Sequence, residues 1–269
     1  MPIKKDEVTE IPRVPIIWTL VISALVIATV ITDIVFGTST NVIIFFMTTI
    51  ILPIMIIVVN TVGVKNFFDA LGFDVKQKYM YIIYISIGVI VGFGIYYLFA
   101  RPMSMLNLLP LPLGYIFYQS MLLDLNVSPT LSFLGGAIYF MMVAISEEVM
   151  RKFCADAFST KFAGVKGLDR VTVIFLGFMA GSVIWAASHL GSYTIAQSAP
   201  FMSYVMAYML GLIFIVPGLL GFMLKGTKYE FKEYVIIPAI VAHFLYDFLI
   251  FTHYTLSFVA PTSLLAYLI

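Results

Sequence analysis

Four charged side chains stand together in one short segment of an otherwise apolar sequence. The segment AISEEVMRKF, residues 144–153, carries the adjacent glutamates Glu147 and Glu148, followed by Arg151 and Lys152. On a helix, Glu147 can reach Arg151, and Glu148 can reach Lys152, because residues four apart share a face. Neighbouring carboxylates point about 100° apart. One of them can therefore enter an ion pair while the other faces a cavity as a base.

Two further polar pairs follow at the same helical spacing. WAASHL places Trp185 and His189 on one face, and AHFLYDF does the same with His243 and Asp247. An ionisable side chain at the centre of a bilayer costs about 2.5–3.5 kcal/mol, so such residues usually find partners and mark function. Asp33, near the end of the first apolar run, is interpreted instead as a capping or interface residue.

These residue types suit hydrolysis. A carboxylate beside a histidine in a cavity that holds water can take a proton from that water, and polar neighbours can stabilise the oxyanion that the attack creates. A zinc site made from Glu147, His189 and His243 is chemically reasonable but is less favoured, since the sequence has no HExxH motif. A serine nucleophile at Ser146 or Ser188 is less favoured still, because small packing groups are expected at these positions.

The composition indicates what must position these residues. Of the 269 residues, 62% are hydrophobic and 11% are charged, and the mean hydropathy is +1.05, which is typical of a polytopic membrane protein. A span needs about 20 apolar residues. Seven runs qualify: 14–36, 42–64, 79–99, 131–150, 171–192, 203–224 and 234–252.

Two other apolar stretches are ambiguous. Residues 103–123 are interrupted by Pro110 and Pro112, and 256–269 is short for a span, so each is interpreted as interfacial, re-entrant or bent. The predicted fold is an all-α membrane helix bundle of about seven to eight transmembrane helices. It forms a single membrane domain over 1–269, with the motif-bearing core at about 131–253.

The basic residues predict the orientation. With seven spans, the lysines and arginines of the N-terminal segment and of the loops 65–78, 151–170 and 225–233 share one side, and only Arg101 lies on the other. The positive-inside rule places the shared side, with the N-terminus, in the cytoplasm, and the cell membrane is the expected location. Residues 65–78 are either an interfacial amphipathic segment or a plain connector. Nothing in the composition indicates binding of nucleic acid.

The three motifs, in this order, resemble those of the CPBP intramembrane protease family, which includes the type II CAAX prenyl proteases and bacteriocin-processing and self-immunity proteins. The family pattern is two glutamates, three residues and Arg; then Phe, three residues and His; then His, three residues and Asn or a similar residue. This chain has Lys152 at the Arg position with Arg151 one place early, Trp185 for Phe, and Asp247 for Asn. The resemblance extends from Ser146 to Asp247.

The resemblance implies a role for each matched residue. Glu147 would be the general base on water, His189 would help to hold that water, and Glu148 would pair with Lys152 or Arg151. His243 and Asp247 would form the oxyanion-binding side. The implied activity is cleavage of a membrane-anchored, in some cases lipidated, peptide or protein at the bilayer by a metal-free mechanism. The third motif fits the PrsW type of membrane protease better than it fits the CPBP pattern, but the WAASH segment fits the PrsW type worse.

Two other functions compete with the protease. A non-catalytic scaffold on the same fold would use the charged residues only to lock helices together, and the departures at Lys152 and Asp247 favour it. A small proton-coupled transporter would use the same acids and histidines as a proton relay. Pro217 and Pro238 could mark the broken helices of such a transporter, although the sequence has no inverted repeat.

Overall fold

The computed structural model describes residues 78–102, 118–188, 200–219 and 235–259, and these ranges are helical and contain no strand. Five helices carry the architecture: α1 (Tyr79–Ile95), α2 (Pro129–Phe162), α3 (Arg170–Ser188), α4 (Pro200–Ile215) and α5 (Ile236–Val259). Three short turns accompany them: a π-helical turn at Tyr96–Ala100 that continues α1, another at Ser120–Asp124, and a 3-10 turn at Val216–Leu219 that ends α4.

Four described helices are long and apolar enough to cross a membrane, and they are Tyr79–Ala100, Pro129–Phe162, Arg170–Ala187 and Ile236–Leu256. A shorter apolar helix covers Tyr204–Leu219. The structure thus confirms an apolar helical bundle that suits a membrane. The predicted runs 14–36 and 42–64, with Asp33, lie outside the described residues, as do 65–77 and most of 103–123. The total of seven to eight spans stays a prediction.

Helix α2 is longer than the apolar run that predicts it. The run covers 131–150, and a continuation to about Phe158 would bring Glu147 and His189 closer in depth; the helix has 34 residues, from Pro129 to Phe162. Proline at the first helical position needs no amide partner and has the right φ for a helix start. At 1.5 Å per residue the helix is about 50 Å long, which exceeds a hydrocarbon core of about 30 Å. All the charged residues of the first motif therefore lie on continuous helix.

A tight turn connects α2 to α3. Gly167 adopts a φ of +94° there, a conformation that glycine accepts without strain. Asp169 then caps α3, because the backbone N–H of Thr172 donates to its Oδ1 at 2.7 Å. That hydrogen bond lowers the pKa of the Asp169 carboxyl. The short connection makes α2 and α3 antiparallel neighbours.

Glycines let α2 and α3 approach until their backbones touch. A Cβ on Gly177 would collide with Ser159 Oγ and lie 2.5 Å from Ala155 O, and one on Gly181 would lie 3.1 Å from Arg151 O. Small residues four apart permit such close packing in membranes, where van der Waals contact drives association. The glycine face continues one turn further to Trp185, which is thereby brought level with Arg151.

A second pair of glycines joins α1 to α5. A Cβ on Gly88 would lie 2.6 Å from Val241 Cβ, and one on Gly92 would lie 2.9 Å from Ala242 O. Val241 and Ala242 directly precede His243 on α5, so α1 supports the helix that carries the third motif. Pro238 lies in the first turn of α5, where a missing N–H costs little, and α5 continues unbroken to Val259.

Gly88→Ala is expected to lower the free energy of unfolding by about 1–3 kcal/mol, the usual cost of overpacking, since the new methyl would also lie 2.8 Å from the backbone oxygen of Pro238. Gly94→Ala on the same helix is the matched control, because nothing lies within 4 Å of an added Cβ there. Unfolding of the detergent-solubilised protein by SDS measures both. Equal stability of the two variants would contradict the close contact of α1 with α5.

Candidate active site

His243 occupies the centre of the candidate site, and both of its ring nitrogens face carboxylates. Nδ1 lies 2.8 Å from Glu148 Oε1. Nε2 lies 3.4 Å from Asp247 Oδ2 and 3.7 Å from Glu147 Oε2. The imidazole side chain is only 3% exposed. The structure therefore brings together, around one ring, the acidic pair of the first motif and both residues of the third.

Glu148 is the fully buried member of the acidic pair. Its side chain is 0% exposed and forms an ion pair with the guanidinium of Arg151, three residues on. A buried charge needs such a partner, because desolvation alone would be very costly. With one carboxylate oxygen directed at Arg151 and the other accepting from His243 Nδ1, Glu148 fixes the orientation of the imidazole ring.

Arg151 connects this ion pair to the rest of the bundle. Its Nη1 donates to the backbone oxygen of Gly211 on α4 at 2.8 Å. Its Cζ lies 5.2 Å from the centroid of the Trp185 ring and 5.9 Å from that of Phe214, within the range of cation–π attraction. The planar guanidinium can make a hydrogen bond, an ion pair and ring contacts together, which an ammonium group cannot match.

Glu147 faces a different environment from its neighbour. Its side chain is 16% exposed, and its Oε2 accepts a hydrogen bond from Trp185 Nε1 at 2.5 Å. The same oxygen is the one that approaches His243 Nε2. Asp247 is also partly accessible, with 20% of its side chain exposed. The Nε2 side of the imidazole is thus the more open side of the site, and the Nδ1 side is the sealed one.

The ion pairs differ from the two that helical spacing alone predicts. Glu148 pairs with Arg151 rather than with Lys152, and Lys152 Nζ donates to Asp156 at 2.6 Å (Oδ1) and 2.8 Å (Oδ2). Asp156 lies four residues after Lys152, just as Glu148 lies four residues before it. The prediction that Lys152 pairs with Glu148 is therefore wrong: Arg151 takes Glu148, and Lys152 pairs with Asp156 at the same spacing in the other direction.

Aromatic rings enclose the imidazole. Phe214 of α4 stacks on His243 with 4.5 Å between ring centroids and 16° between planes. Trp185 presents its edge from α3 at 5.8 Å. Sequence reasoning missed Phe214 and the supporting role of Gly211, since neither belongs to a polar pair. Their contribution arises from contacts between helices, which no local pattern indicates.

The remaining predicted site residues are placed less completely. His189 lies outside the described residues, as does the side chain of Ser188. Ser146 is buried on α2. Within the described part of the chain, no group of three or more His, Cys, Asp or Glu side chains has an arrangement that could hold a metal ion. The zinc alternative includes His189 and so stays untested.

Lys152→Met is expected to destabilise the protein by about 3–5 kcal/mol, because it leaves the buried Asp156 carboxylate without its cation. The double variant Lys152→Met/Asp156→Leu removes both charges and is expected to recover most of that loss. Unfolding by SDS in detergent measures the free energies. A double variant as unstable as the single one would show that the pair is not the main interaction of Lys152.

Comparisons of the whole chain with protein-family models, with curated proteins and with solved structures found no match in any of the three. The functional interpretation therefore depends on the geometry around His243 and on the motif pattern of the sequence.

Proposed function

We propose that the protein is an intramembrane endopeptidase in which Glu147 activates a water molecule. The observation that carries this proposal is the unequal environment of the two ring nitrogens of His243. Nδ1 is held by the sealed, ion-paired Glu148, whereas Nε2 faces the partly exposed Glu147 and Asp247. Glu148 thus has a structural role, whereas Glu147 is available for proton transfer.

The proposed chemistry begins with proton transfer from water to Glu147. The water oxygen bonds to the carbonyl carbon of the peptide, and the π electrons of that carbonyl move to its oxygen as an oxyanion. When the oxyanion collapses, the C–N bond breaks and Glu147 returns its proton to the departing amine. A general base typically contributes about 10²- to 10⁴-fold to such a reaction.

His243 is proposed to serve the oxyanion side. Glu148 accepts from Nδ1 and so keeps the ring oriented, and a second proton, on Nε2, can be donated to the oxyanion. The resemblance to the CPBP family gives the same assignment and adds His189 as a second group on the water. Asp247, which cannot donate when ionised, is proposed to accept from Nε2 before the oxyanion forms and so to hold the ring in place.

The location of the site supports the proposed substrate class. Glu147 and His243 both lie on helices with the length and hydropathy of membrane spans, and the site is proposed to lie within the bilayer region. The substrate is therefore proposed to be a membrane-anchored peptide or protein. The cell membrane and a cytoplasmic N-terminus remain the proposed location and orientation, on the strength of the distribution of basic residues.

A non-catalytic scaffold is the second candidate, because the same buried contacts also lock helices together. Arg151 joins α2 to α4, and Glu148 joins α2 to α5. A proton-coupled transporter is the third candidate. Helix α5, which contains Pro238, is continuous, whereas α4 gives way to a 3-10 turn at Pro217.

Glu147→Gln and His243→Ala are expected to remove the products of proteolysis. Membranes of host cells that express the wild type, Glu147→Gln, His243→Ala or Asp169→Asn at matched levels are compared for new peptide termini by mass spectrometry. Termini that depend on the protein should fall by about 10²- to 10⁴-fold in the two site variants, as expected for loss of a general base or its partner.

Asp169→Asn is the control for that comparison. It removes a carboxylate at the start of α3, outside the site, and asparagine is an equally good helix cap. Identical profiles in all four samples, with folded protein in each, would contradict the protease and favour the scaffold. A proton flux that Glu147→Gln abolishes, without any dependent termini, would favour the transporter.

Asp247→Asn is expected to retain the yield of those termini within about tenfold, because the amide oxygen can still accept from His243 Nε2 and the amide N–H can donate to an oxyanion. Asp247→Leu can do neither, and misplacement of the ring is expected to cost about 10²-fold. The same analysis of termini compares them. If the yield of termini falls as much in Asp247→Asn as in Asp247→Leu, the charge of Asp247 is required and its proposed role is wrong.

A further inference from the structure

The indole of Trp185 is held firmly between three helices. Its ring lies over the guanidinium of Arg151 from α2, at 5.2 Å. On the side of α4 it lies so close to Gly211 that a Cβ there would come within 2.8 Å of Cε3 and 3.0 Å of Cζ3. The side chain is 2% exposed. A ring restrained in this way has little freedom to shift within the bundle.

The restrained ring directs its one polar atom at Glu147. An indole nitrogen is a donor only, and Trp185 Nε1 donates to Glu147 Oε2 at 2.5 Å across 38 residues of sequence. That oxygen is also the one that lies 3.7 Å from His243 Nε2. The position of the carboxylate relative to the imidazole therefore depends on a donor from a third helix.

We propose that Trp185 is a positioning residue whose indole N–H holds the Glu147 carboxylate beside His243 Nε2. A glutamate side chain has three rotatable bonds, and Glu147 is the more accessible member of the acidic pair. Glu148 is fixed by Arg151 on its own helix, whereas Glu147 takes its support from the indole on α3. The positioning of Glu147 by Trp185 is independent of whether the protein is a protease. Its consequence for catalysis rests on the proposed function.

Gly211 supports both carboxylates at once. Its missing side chain leaves space for the Trp185 ring, and its backbone oxygen accepts from Arg151 Nη1. Gly211 therefore supports Glu147 through the Trp185 indole, and it supports Glu148 through the Arg151 guanidinium. A side chain at this position would displace both groups.

The first test is spectroscopic and needs no substrate. The chain has two tryptophans, so Trp18→Phe leaves Trp185 as the only indole, and ultraviolet resonance Raman reports the strength of its N–H hydrogen bond. In this background, Glu147→Leu is expected to shift the indole band to the position of a weakly bonded N–H. Glu147→Gln, whose neutral oxygen accepts less strongly, should give a smaller shift in the same direction.

Asp169→Asn in the same background is the control, and its band should equal that of the parent. Unchanged melting in detergent establishes that each variant is folded. A band that is identical in the parent, Glu147→Gln and Glu147→Leu would overturn the proposal. The glutamine variant keeps the test decisive if Glu147→Leu does not fold.

The second test separates positioning from structure. Trp185→Phe keeps an aromatic ring against Arg151 and Gly211 but removes the donor, and a displaced base is expected to lower the yield of Glu147-dependent termini by about 10- to 100-fold. With a cleaved peptide identified from those termini, kcat should fall and KM should stay unchanged. Full activity of Trp185→Phe would overturn the proposal and leave the protease intact. An absence of dependent termini in the wild type would defeat the protease, and the Raman comparison would still decide the role of Trp185.

Discussion

The buried ion pair between Glu148 and Arg151 is the interaction on which the site depends. Neither charge could remain in the apolar core alone, since removal of either partner leaves an uncompensated charge. Arg151 reaches α4 through Gly211 and α3 through the Trp185 ring. Glu148 reaches α5 through His243. Helices α2, α3, α4 and α5 therefore meet at this ion pair, whose two residues lie about one turn apart on α2.

The position of the arginine illustrates how helix geometry tolerates a change in sequence. In the pattern that the first motif resembles, the arginine follows the second glutamate at the fourth position, and here it follows at the third. Residues three and four apart share a helix face, so Arg151 still lies beside Glu148. Lys152 is then available to pair with Asp156 one turn further along, and two ion pairs occupy adjacent parts of the same buried surface.

Much of the local structure could be predicted from the sequence, and the contacts between helices could not. The apolar runs identified the described helices, and the spacing of His243 and Asp247 placed them on one face. The hydrogen bond from Trp185 to Glu147 spans 38 residues and that between His243 and Glu148 spans 95, so no periodicity could indicate either. The partner of Lys152 was predicted wrongly, because Asp156 stands as far after it along α2 as Glu148 stands before it.

The length of α2 shows a related limit. Hydropathy ends the predicted span at 150, since the next residues are charged, but those charges are neutralised within the bundle and the helix continues. An apolar scale cannot recognise a charged segment whose partners lie on the same helix or on its neighbours. Composition is therefore least informative at the part of α2 that carries the site.

Two pairs of glycines bring the helices of the site into backbone contact two by two. Gly177 and Gly181 bring α3 into backbone contact with α2, and Gly88 and Gly92 do the same for α1 and α5. Glu147 and Trp185 belong to the first pair of helices, and His243 and Asp247 belong to the second. Within a pair the backbones are already in contact, so the helices cannot slide without collision. A movement that parts α2 from α5 would break the hydrogen bond between Glu148 and His243 and would withdraw the Phe251 ring from Gly136. Widening the site in this way would therefore also disassemble the acid–histidine constellation.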